Sequence, residues 1–181
     1  WPDAMNALGN DAQSIISRCV QEVIADQIEA GIDIPTDGEV PRENYIHYHC
    51  RHIEGIDFGV LTEVSLRNDA YSARLPTVNG PVSAGNIFLV QDWKRAQACT
   101  DRPVKITIPG PMTITDTTAD AYYGDAERLG AELADALNHE VIALAEAGCT
   151  NIQVDEPLFA RKPAAALDYG FENLERTFHR C

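Results

Sequence analysis

The chain has 181 residues, of which 45% are hydrophobic and 23% charged, a composition typical of a globular chain with a real core. Twenty-eight acidic residues against 14 basic ones give a formal charge of −14, which disfavours nucleic acid and anionic membranes as partners. No apolar run approaches the roughly 20 residues of a membrane-spanning helix, and the N-terminus carries no basic-then-apolar signal, so we expect a cytoplasmic protein.

The first predicted elements are a helix and a strand. Apolar residues recur at helical spacing at Ile16, Val20, Val23, Ile24 and Ile28. Gly31 ends this pattern, and an apolar strand over 31–35 follows at once. The strand runs into two acids, Asp37 and Glu39, so this first helix-to-strand step delivers carboxylates at its end.

The next part of the chain gives weaker signals. A short helix is predicted from Pro41 to Ile53. Residues 54–84 are rich in Gly, Pro, Asn and Ser, which predicts a long connection with a strand near Leu75 to Val78. A helix is predicted from Asn86 to Ala98, so the regular alternation of helix and strand resumes there.

Two further strands follow, with the strongest helix between them. Pro103 to Ile108 predicts a strand that Pro109-Gly110-Pro111 closes. The helix extends from about Asp120 until Gly148 stops it. Its apolar stripe consists of Leu129, Leu133, Leu137, Val141 and Leu144. The segment 151–157 then predicts a buried strand that ends in two adjacent acids and a proline.

A final helix is predicted from Phe171 to Arg180, and the whole series indicates an α/β fold with a parallel sheet. The chain lacks the glycine fingerprint of a dinucleotide site and a Walker-type phosphate loop. Functional groups at strand ends favour a (β/α)8 TIM barrel over an open sheet. A full barrel takes about 250 residues. We therefore expect residues 1–181 to form one partial barrel domain that lacks the first and last strands.

Acids end two of the predicted strands: Asp37 and Glu39 follow the first, and Asp155 and Glu156 end the last. Parallel strands finish at one edge of their sheet, so these carboxylates are expected to share a site. The alternative for each acid is a helix cap, which contributes about 1 kcal/mol.

Several segments together resemble the catalytic barrel of cobalamin-independent methionine synthase. They are Asp37-Gly38-Glu39 with Arg42, Ile108-Pro109-Gly110-Pro111-Met112-Thr113, the Ala-Gly end of the long helix, and Ile152-Gln153-Val154-Asp155-Glu156-Pro157. The resemblance spans about residues 20 to 160, in the order of the family. Each motif alone is weak, and their joint occurrence is specific.

The resemblance implies a 5-methyltetrahydropteroyltriglutamate-homocysteine S-methyltransferase of methionine biosynthesis. In that family zinc holds the homocysteine sulfur as a thiolate, which is a strong nucleophile at neutral pH. On the matching positions, Glu39 and Asp155 bind the ammonium group of the substrate. Asp37, Arg42 and Glu156 are expected to support them: Asp37 as a turn residue, Arg42 as an ion-pair partner, and Glu156 through structural hydrogen bonds.

The chain departs from the family at the metal. The family's zinc site uses a His-x-Cys pair on a later strand, then a Glu and a second Cys, and nothing here matches that context. His179-Arg180-Cys181 has the spacing, but it ends a predicted helix, where residues two apart point in different directions. We therefore expect the zinc ligands to lie beyond this chain, no metal in it, and no methyltransferase activity from the 181 residues alone.

The chain also departs from the family at the methyl donor. The family pattern continues after Gly-Pro-x-Thr to a tryptophan that stacks on the folate, whereas Thr117 stands there in this sequence. Paralogues that use other donors, or that add thiols to epoxides, therefore remain alternatives. The other alternative is a non-catalytic barrel fragment that acts in binding or assembly. Its exposed sheet edges would favour a homo-oligomer.

Two further groups of residues carry side chains that could form a site. His47, His49, Cys50 and His52 form a local cluster in which pairs three apart allow a two-ligand contact with a metal, and the simpler interpretation is a helix face beside the substrate loop. The cysteines are Cys19, Cys50, Cys99, Cys149 and Cys181, an odd and scattered set without a Cys-x-x-Cys pair. This pattern predicts reduced thiols.

Overall fold

The computed structural model describes residues 9–66 and 70–181. Residues 1–8 of the predicted domain and 67–69 of the predicted connection lie outside this range. A 3-10 turn (Gly9–Asp11) leads into helix α1 (Ala12–Glu29). The buried face of α1 consists of Ala12, Ile16, Val20 and Ile24, which confirms the first predicted helix.

The strand predicted over 31–35 is wrong. The chain makes only an isolated parallel bridge there, between Thr36 and Lys105. The Gln27 side chain of α1 bonds both the N–H and the C=O of Thr36, each at 2.9 Å, and so takes the place of a second neighbouring strand. Ile32 and Ile34 stay 46% and 39% exposed, because no sheet covers them.

The long connection predicted over 54–84 is also wrong, whereas the strand predicted within it near Leu75 to Val78 is confirmed. After a short helix α2 (His47–Cys50), two long strands, β1 (Ile53–Leu66) and β2 (Tyr71–Ala84), pair as an antiparallel hairpin. The register shifts twice along it, and such irregularities let glycines sit within strands. Gly55 has φ +87 and lies at the first shift, where a Cβ would be 2.4 Å from the Pro81 carbonyl oxygen.

The second half of the chain follows the predicted alternation. Helix α3 (Leu89–Gln97) leads to strand β3 (Ile106–Pro109), and the short helix α4 (Pro111–Asp116) follows. Strand β4 (Ala119–Asp120) joins the hairpin beside β2, in the order β1-β2-β4.

Helix α5 (Ala126–Glu146) is the long predicted helix. It begins later than predicted because Asp125 caps it, with its side chain accepting the N–H groups of Glu127 and Arg128. Gly148, at φ +99, follows its end as predicted.

Strand β5 (Ile152–Asp155) lies parallel to β3 in a two-stranded sheet. Three short helices, α6 (Leu158–Arg161), α7 (Pro163–Ala165) and α8 (Phe171–Thr177), follow, with a π-helical turn (Ala166–Gly170) before α8. The main core packs α1, α3 and α5 against β3. A second core joins the hairpin to α5. In the described part of the chain, no helix is long and apolar enough to cross a membrane.

Candidate functional site

The parallel sheet brings three chain segments to one edge. Lys105, just before β3, bridges Thr36, and Pro109 at the end of β3 pairs with Asp155 at the end of β5. The acids predicted after the first and last strands therefore leave the sheet on either side of β3. The first acidic segment reaches this edge through a single bridge and not through the predicted strand.

Glu39 is held by two bonds to the same carboxylate oxygen. Its Oε1 accepts from Arg42 Nη1 at 3.1 Å and from Thr107 Oγ1 at 2.8 Å. Arg42 Nη1 also donates to Thr107 Oγ1 at 2.9 Å, which closes a triangle of three polar groups. The backbone of Glu39 has φ +56, a left-handed conformation that non-glycine residues seldom adopt. Such strain is common at functional sites.

Asp37 and Arg42 form a buried ion pair behind Glu39. Both side chains are 1% exposed, and Arg42 Nη2 lies 3.9 Å from Asp37 Oδ2. Asp37 Oδ1 accepts the N–H of Glu39 at 3.0 Å, so the predicted turn role of Asp37 agrees with its position. Burial raises the pKa of the Asp37 carboxyl above its usual range, and the Arg42 guanidinium opposes this shift.

Glu156 is turned away from Glu39, toward the start of α4. Its Oε2 accepts the N–H groups of Met112 at 3.0 Å and Thr113 at 3.2 Å, and its Oε1 accepts the Thr113 hydroxyl. Burial raises the pKa of Glu156, while the bonds from Thr113 and Met112 oppose the shift. These contacts are structural hydrogen bonds of the kind expected for this residue.

Asp155 is partly exposed, and its carboxylate contacts a neutral side chain. Its Oδ1 accepts from the Gln153 side chain at 2.5 Å, and Gln153 in turn accepts from Lys105 Nζ at 2.7 Å. Gln153 is exposed, and Lys105 and Asp155 are partly exposed, so this chain of contacts lies at the surface. In the described part of the chain, no ion pair neutralises the carboxylate of Asp155.

The pKa of Tyr45 responds to the charges of both acidic groups. Burial raises the pKa of its phenol, the Arg161 charge opposes the shift, and the charges of Asp155, Glu156 and Glu39 add to the rise. Arg42 and Arg161 offset only part of the negative charge of these acids, so the site favours a cationic group.

Sequence reasoning missed Thr107 and Tyr45. Thr107 stands inside an apolar strand, and only the pairing of β3 with its neighbours reveals that it faces Glu39. Tyr45 lies in the segment from Pro41 to Ile53 that is predicted as a short helix, and within that segment the structure is helical only over α2. A signal was present for Thr107, since it is the polar residue between Ile106 and Ile108.

The predicted histidine and cysteine cluster has a packing role. His49 and Cys50 are fully buried, and His52 stacks on Phe88 with ring centroids 3.9 Å apart. His47 Nε2 lies 3.2 Å from the Thr117 carbonyl oxygen. Burial lowers the pKa of His49 well below its usual value and raises that of Cys50 to about 12. These positions agree with a helix face beside the site.

The residues present do not fit zinc. Across 9–66 and 70–181, no group of three or more His, Cys, Asp or Glu side chains could hold a metal ion. His179 and Cys181 are exposed beyond the end of α8, with Arg180 at φ +63 between them.

Comparison with known proteins places residues 4–169 in the family model described as "Cobalamin-independent synthase, Catalytic domain". A methionine synthase of Saccharolobus solfataricus is 37% identical over 155 residues, which are 84% of this chain and 46% of that protein. A methionine synthase of Sulfolobus acidocaldarius is 32% identical over 148 residues, 81% of this chain and 43% of that protein. The chain thus spans about half the length of the curated relatives it matches.

Two solved structures share the fold. A B12-independent methionine synthase from Shewanella sp. W3-18-1, solved in complex with selenomethionine, has a TM-score of 0.88 and 36% identity, over 96% of this chain and 50% of that chain. A putative vitamin-B12-independent methionine synthase from Listeria monocytogenes has a TM-score of 0.74 and 18% identity, over 93% of this chain and 52% of that chain. The second similarity supports the mixed α/β fold alone.

Proposed function

The chain belongs to the family of cobalamin-independent synthase catalytic domains, and from this premise we propose that it carries the amino-acid-binding part of an S-methyltransferase that acts on homocysteine. The observation that carries the proposal is the carboxylate of Glu39, fixed through one oxygen at the sheet edge where Asp155 also ends its strand. An amino acid in solution presents an ammonium group, and a half-buried carboxylate binds it through charge-assisted hydrogen bonds.

In this proposal Glu39 and Asp155 bind the ammonium group of homocysteine. Asp37 and Arg42 support Glu39 from behind, and Glu156 fixes the loop between β3 and α4. Because the substrate is anchored by its ammonium, its thiol is oriented away from the acids, toward the methyl donor. The B12-independent methionine synthase from Shewanella sp. W3-18-1 was solved in complex with selenomethionine, which supports the proposal of an amino-acid ligand here.

Zinc enters the proposal only for the whole protein. In cobalamin-independent methionine synthases zinc would hold the substrate sulfur as a thiolate. Residues 9–66 and 70–181 contain no group of three or more side chains that could hold the ion. We propose further that residues 1–181 belong to one partial (β/α)8 barrel domain, supported by the parallel β3–β5 pair and the bridge beside it. A homo-oligomer formed through open sheet edges and a cytoplasmic location stay predictions.

A donor other than folate is a second candidate, because of Thr117. Its hydroxyl donates to the Thr113 carbonyl oxygen at 2.7 Å and so holds the side chain against the end of its own helix. A threonine side chain also has no ring that could stack on a pterin. A paralogous thiol alkyltransferase that uses another methyl donor or an epoxide is consistent with this residue. The ammonium-binding role of Glu39 and Asp155 carries over to this candidate where its thiol substrate is an amino acid.

Calorimetry on the product of the natural gene, loaded with zinc, tests the proposal, with the 181-residue chain measured beside it. The ligands are L-homocysteine and 4-mercaptobutyrate, which differ only in the ammonium group. We expect Glu39→Gln and Asp155→Asn each to weaken homocysteine binding about 10-fold or more, since a hydrogen bond to a charged group contributes about 1.5–3 kcal/mol. Binding of 4-mercaptobutyrate should stay unchanged.

Asp33→Asn is the matched control, because the Asp33 side chain is 99% exposed on the segment that precedes the site. It should bind both ligands as the unaltered protein does. Equal affinity of the unaltered protein for the two ligands would overturn the ammonium site. Binding without methylation by any donor would favour the non-catalytic alternative.

A further inference from the structure

We propose that Thr107 is a positioning residue that keeps one oxygen of the Glu39 carboxylate available for the substrate ammonium. The proposal rests on the function proposed above and adds a residue that the motifs did not indicate. Thr107 lies on β3 and is 7% exposed. Its hydroxyl is the shared corner of the triangle with Glu39 and Arg42.

The direction of each hydrogen bond in this triangle is determined by chemistry. A guanidinium can only donate, so Thr107 Oγ1 must accept the bond from Arg42 Nη1 at 2.9 Å. The single hydroxyl proton of Thr107 is then free to point at Glu39 Oε1, 2.8 Å away. The Thr107 hydroxyl thus accepts one hydrogen bond, from Arg42, and donates one, to Glu39.

Both bonds to Glu39 converge on Oε1, and this convergence leaves Oε2 available. Neither Arg42 nor Thr107 contacts Oε2 within bonding distance, and the Glu39 side chain is 36% exposed. An ammonium group can therefore approach Oε2 without displacing a protein donor. Because the left-handed backbone of Glu39 limits where its side chain can start, the hydroxyl of Thr107 completes the orientation.

Thr107 also restrains Arg42. An arginine beside a carboxylate favours a two-pronged pair in which two of its nitrogens donate in parallel, one to each carboxylate oxygen. Here Arg42 reaches Glu39 through Nη1 alone, while its buried Nε and Nη2 have no hydrogen-bond partner. Without the threonine hydroxyl, Arg42 can turn to the two-pronged geometry and occupy Oε2. The substrate ammonium would then compete with a guanidinium for the same oxygen.

Thr107→Val tests this role, because valine keeps the shape of threonine and removes the hydroxyl, and Thr107→Ser keeps the hydroxyl. In the natural gene product we expect Thr107→Val to weaken L-homocysteine binding 5- to 20-fold and to leave 4-mercaptobutyrate binding within twofold. Thr107→Ser should bind homocysteine within twofold of the unaltered protein. Added to Glu39→Gln, Thr107→Val should cause no further loss, since it acts through Glu39.

Equal loss of both ligands in Thr107→Val, or no loss of homocysteine binding, would overturn the positioning role. If the unaltered protein itself does not distinguish the two ligands, the proposed function fails and not the role of Thr107. In that case the ¹³Cδ resonance of Glu39 in the ligand-free 181-residue chain decides. Its chemical shift should change in Thr107→Val and match that of the unaltered chain in Thr107→Ser. An unchanged chemical shift in Thr107→Val would overturn the positioning role of Thr107.

Discussion

Gly110 and Glu156 occupy adjoining space so closely that a Cβ on Gly110 would lie 2.0 Å from Oε2 of Glu156. The glycine itself has φ −72 and ψ 151, a conformation open to any residue, so the requirement for glycine is steric. The same Glu156 oxygen accepts the N–H groups of Met112 and Thr113. Gly110 therefore permits the contact that joins the end of β5 to the first turn of α4.

Gly110→Ala should destabilise the chain by about 1–3 kcal/mol, the usual cost of overpacking, because Glu156 must leave its main-chain donors. Urea denaturation measures the loss. Gly80→Ala is the matched control, since nothing lies within 4 Å of a Cβ at that position. If Gly110→Ala is as stable as the control, the Glu156 side chain has another conformation of similar free energy, which would contradict this prediction.

Arg42→Met should cost about 3–5 kcal/mol of unfolding free energy, because it leaves the buried carboxylate of Asp37 without its counter-ion. The matched control is Arg176→Met, which breaks a pair with Asp135 whose side chains are 42% and 59% exposed. A surface pair of this kind contributes about 0–1 kcal/mol. Equal losses in the two variants would contradict the burial argument.

Glu140 should make stability depend on pH. Its carboxylate accepts the N–H groups of Phe88 at 3.0 Å and Leu89 at 3.3 Å, and burial raises its pKa from 4.5 to about 7. The folded chain then holds a proton that the unfolded chain releases, so this contribution to stability is full below pH 4.5 and is lost as pH rises to about 7. The loss amounts to roughly 3 kcal/mol.

Glu140→Gln should remove this pH-dependent contribution. Between pH 4.5 and pH 7.5 the variant should therefore lose less unfolding free energy than the unaltered chain loses. Glu146→Gln, on the exposed side of the same helix, is the control and should keep the slope of the unaltered chain. Identical pH profiles for Glu140→Gln and the unaltered chain would refute the assignment.

The five cysteines are free in the structure, as the sequence predicted, and should differ in reactivity. Burial raises the pKa of Cys50 to about 12 and raises that of Cys149, whereas Cys181 is exposed. A thiol-disulfide reagent should label Cys181 first and reach Cys50 only on unfolding. Cys181→Ser should abolish the fastest phase. Rapid labelling of Cys50 in the folded chain would contradict its burial.

Local patterns predicted much of the fold. The helical stripes ending at Gly31 and Gly148 gave α1 and α5, and the short apolar runs gave β3 and β5. These elements are decided by side-chain periodicity and by glycine at helix ends, which act over a few residues. The motifs at their ends indicated the family, and the match of residues 4–169 confirms it.

The hairpin of β1 and β2 could not be predicted in the same way. Its glycines and prolines favour turns locally, and they are tolerated because pairing along most of two 14-residue strands outweighs two irregular points. The opposite error occurs at 31–35, where a strand is predicted and none forms. Its apolar alternation is typical of a strand, yet the side chain of Gln27 takes the hydrogen bonds that a neighbouring strand would need.

The sequence by itself determined the alternation of elements in the second half of the chain, the acid-ended strand at Asp155 and the family, because each depends on neighbours in the chain. Only the tertiary structure decided which side chains meet. Thr107 is separated from Glu39 by 68 positions, and the contact exists because β3 lies beside the bridge at Thr36. Glu156 likewise faces α4 and not Glu39, because main-chain donors from another segment compete successfully for its oxygens.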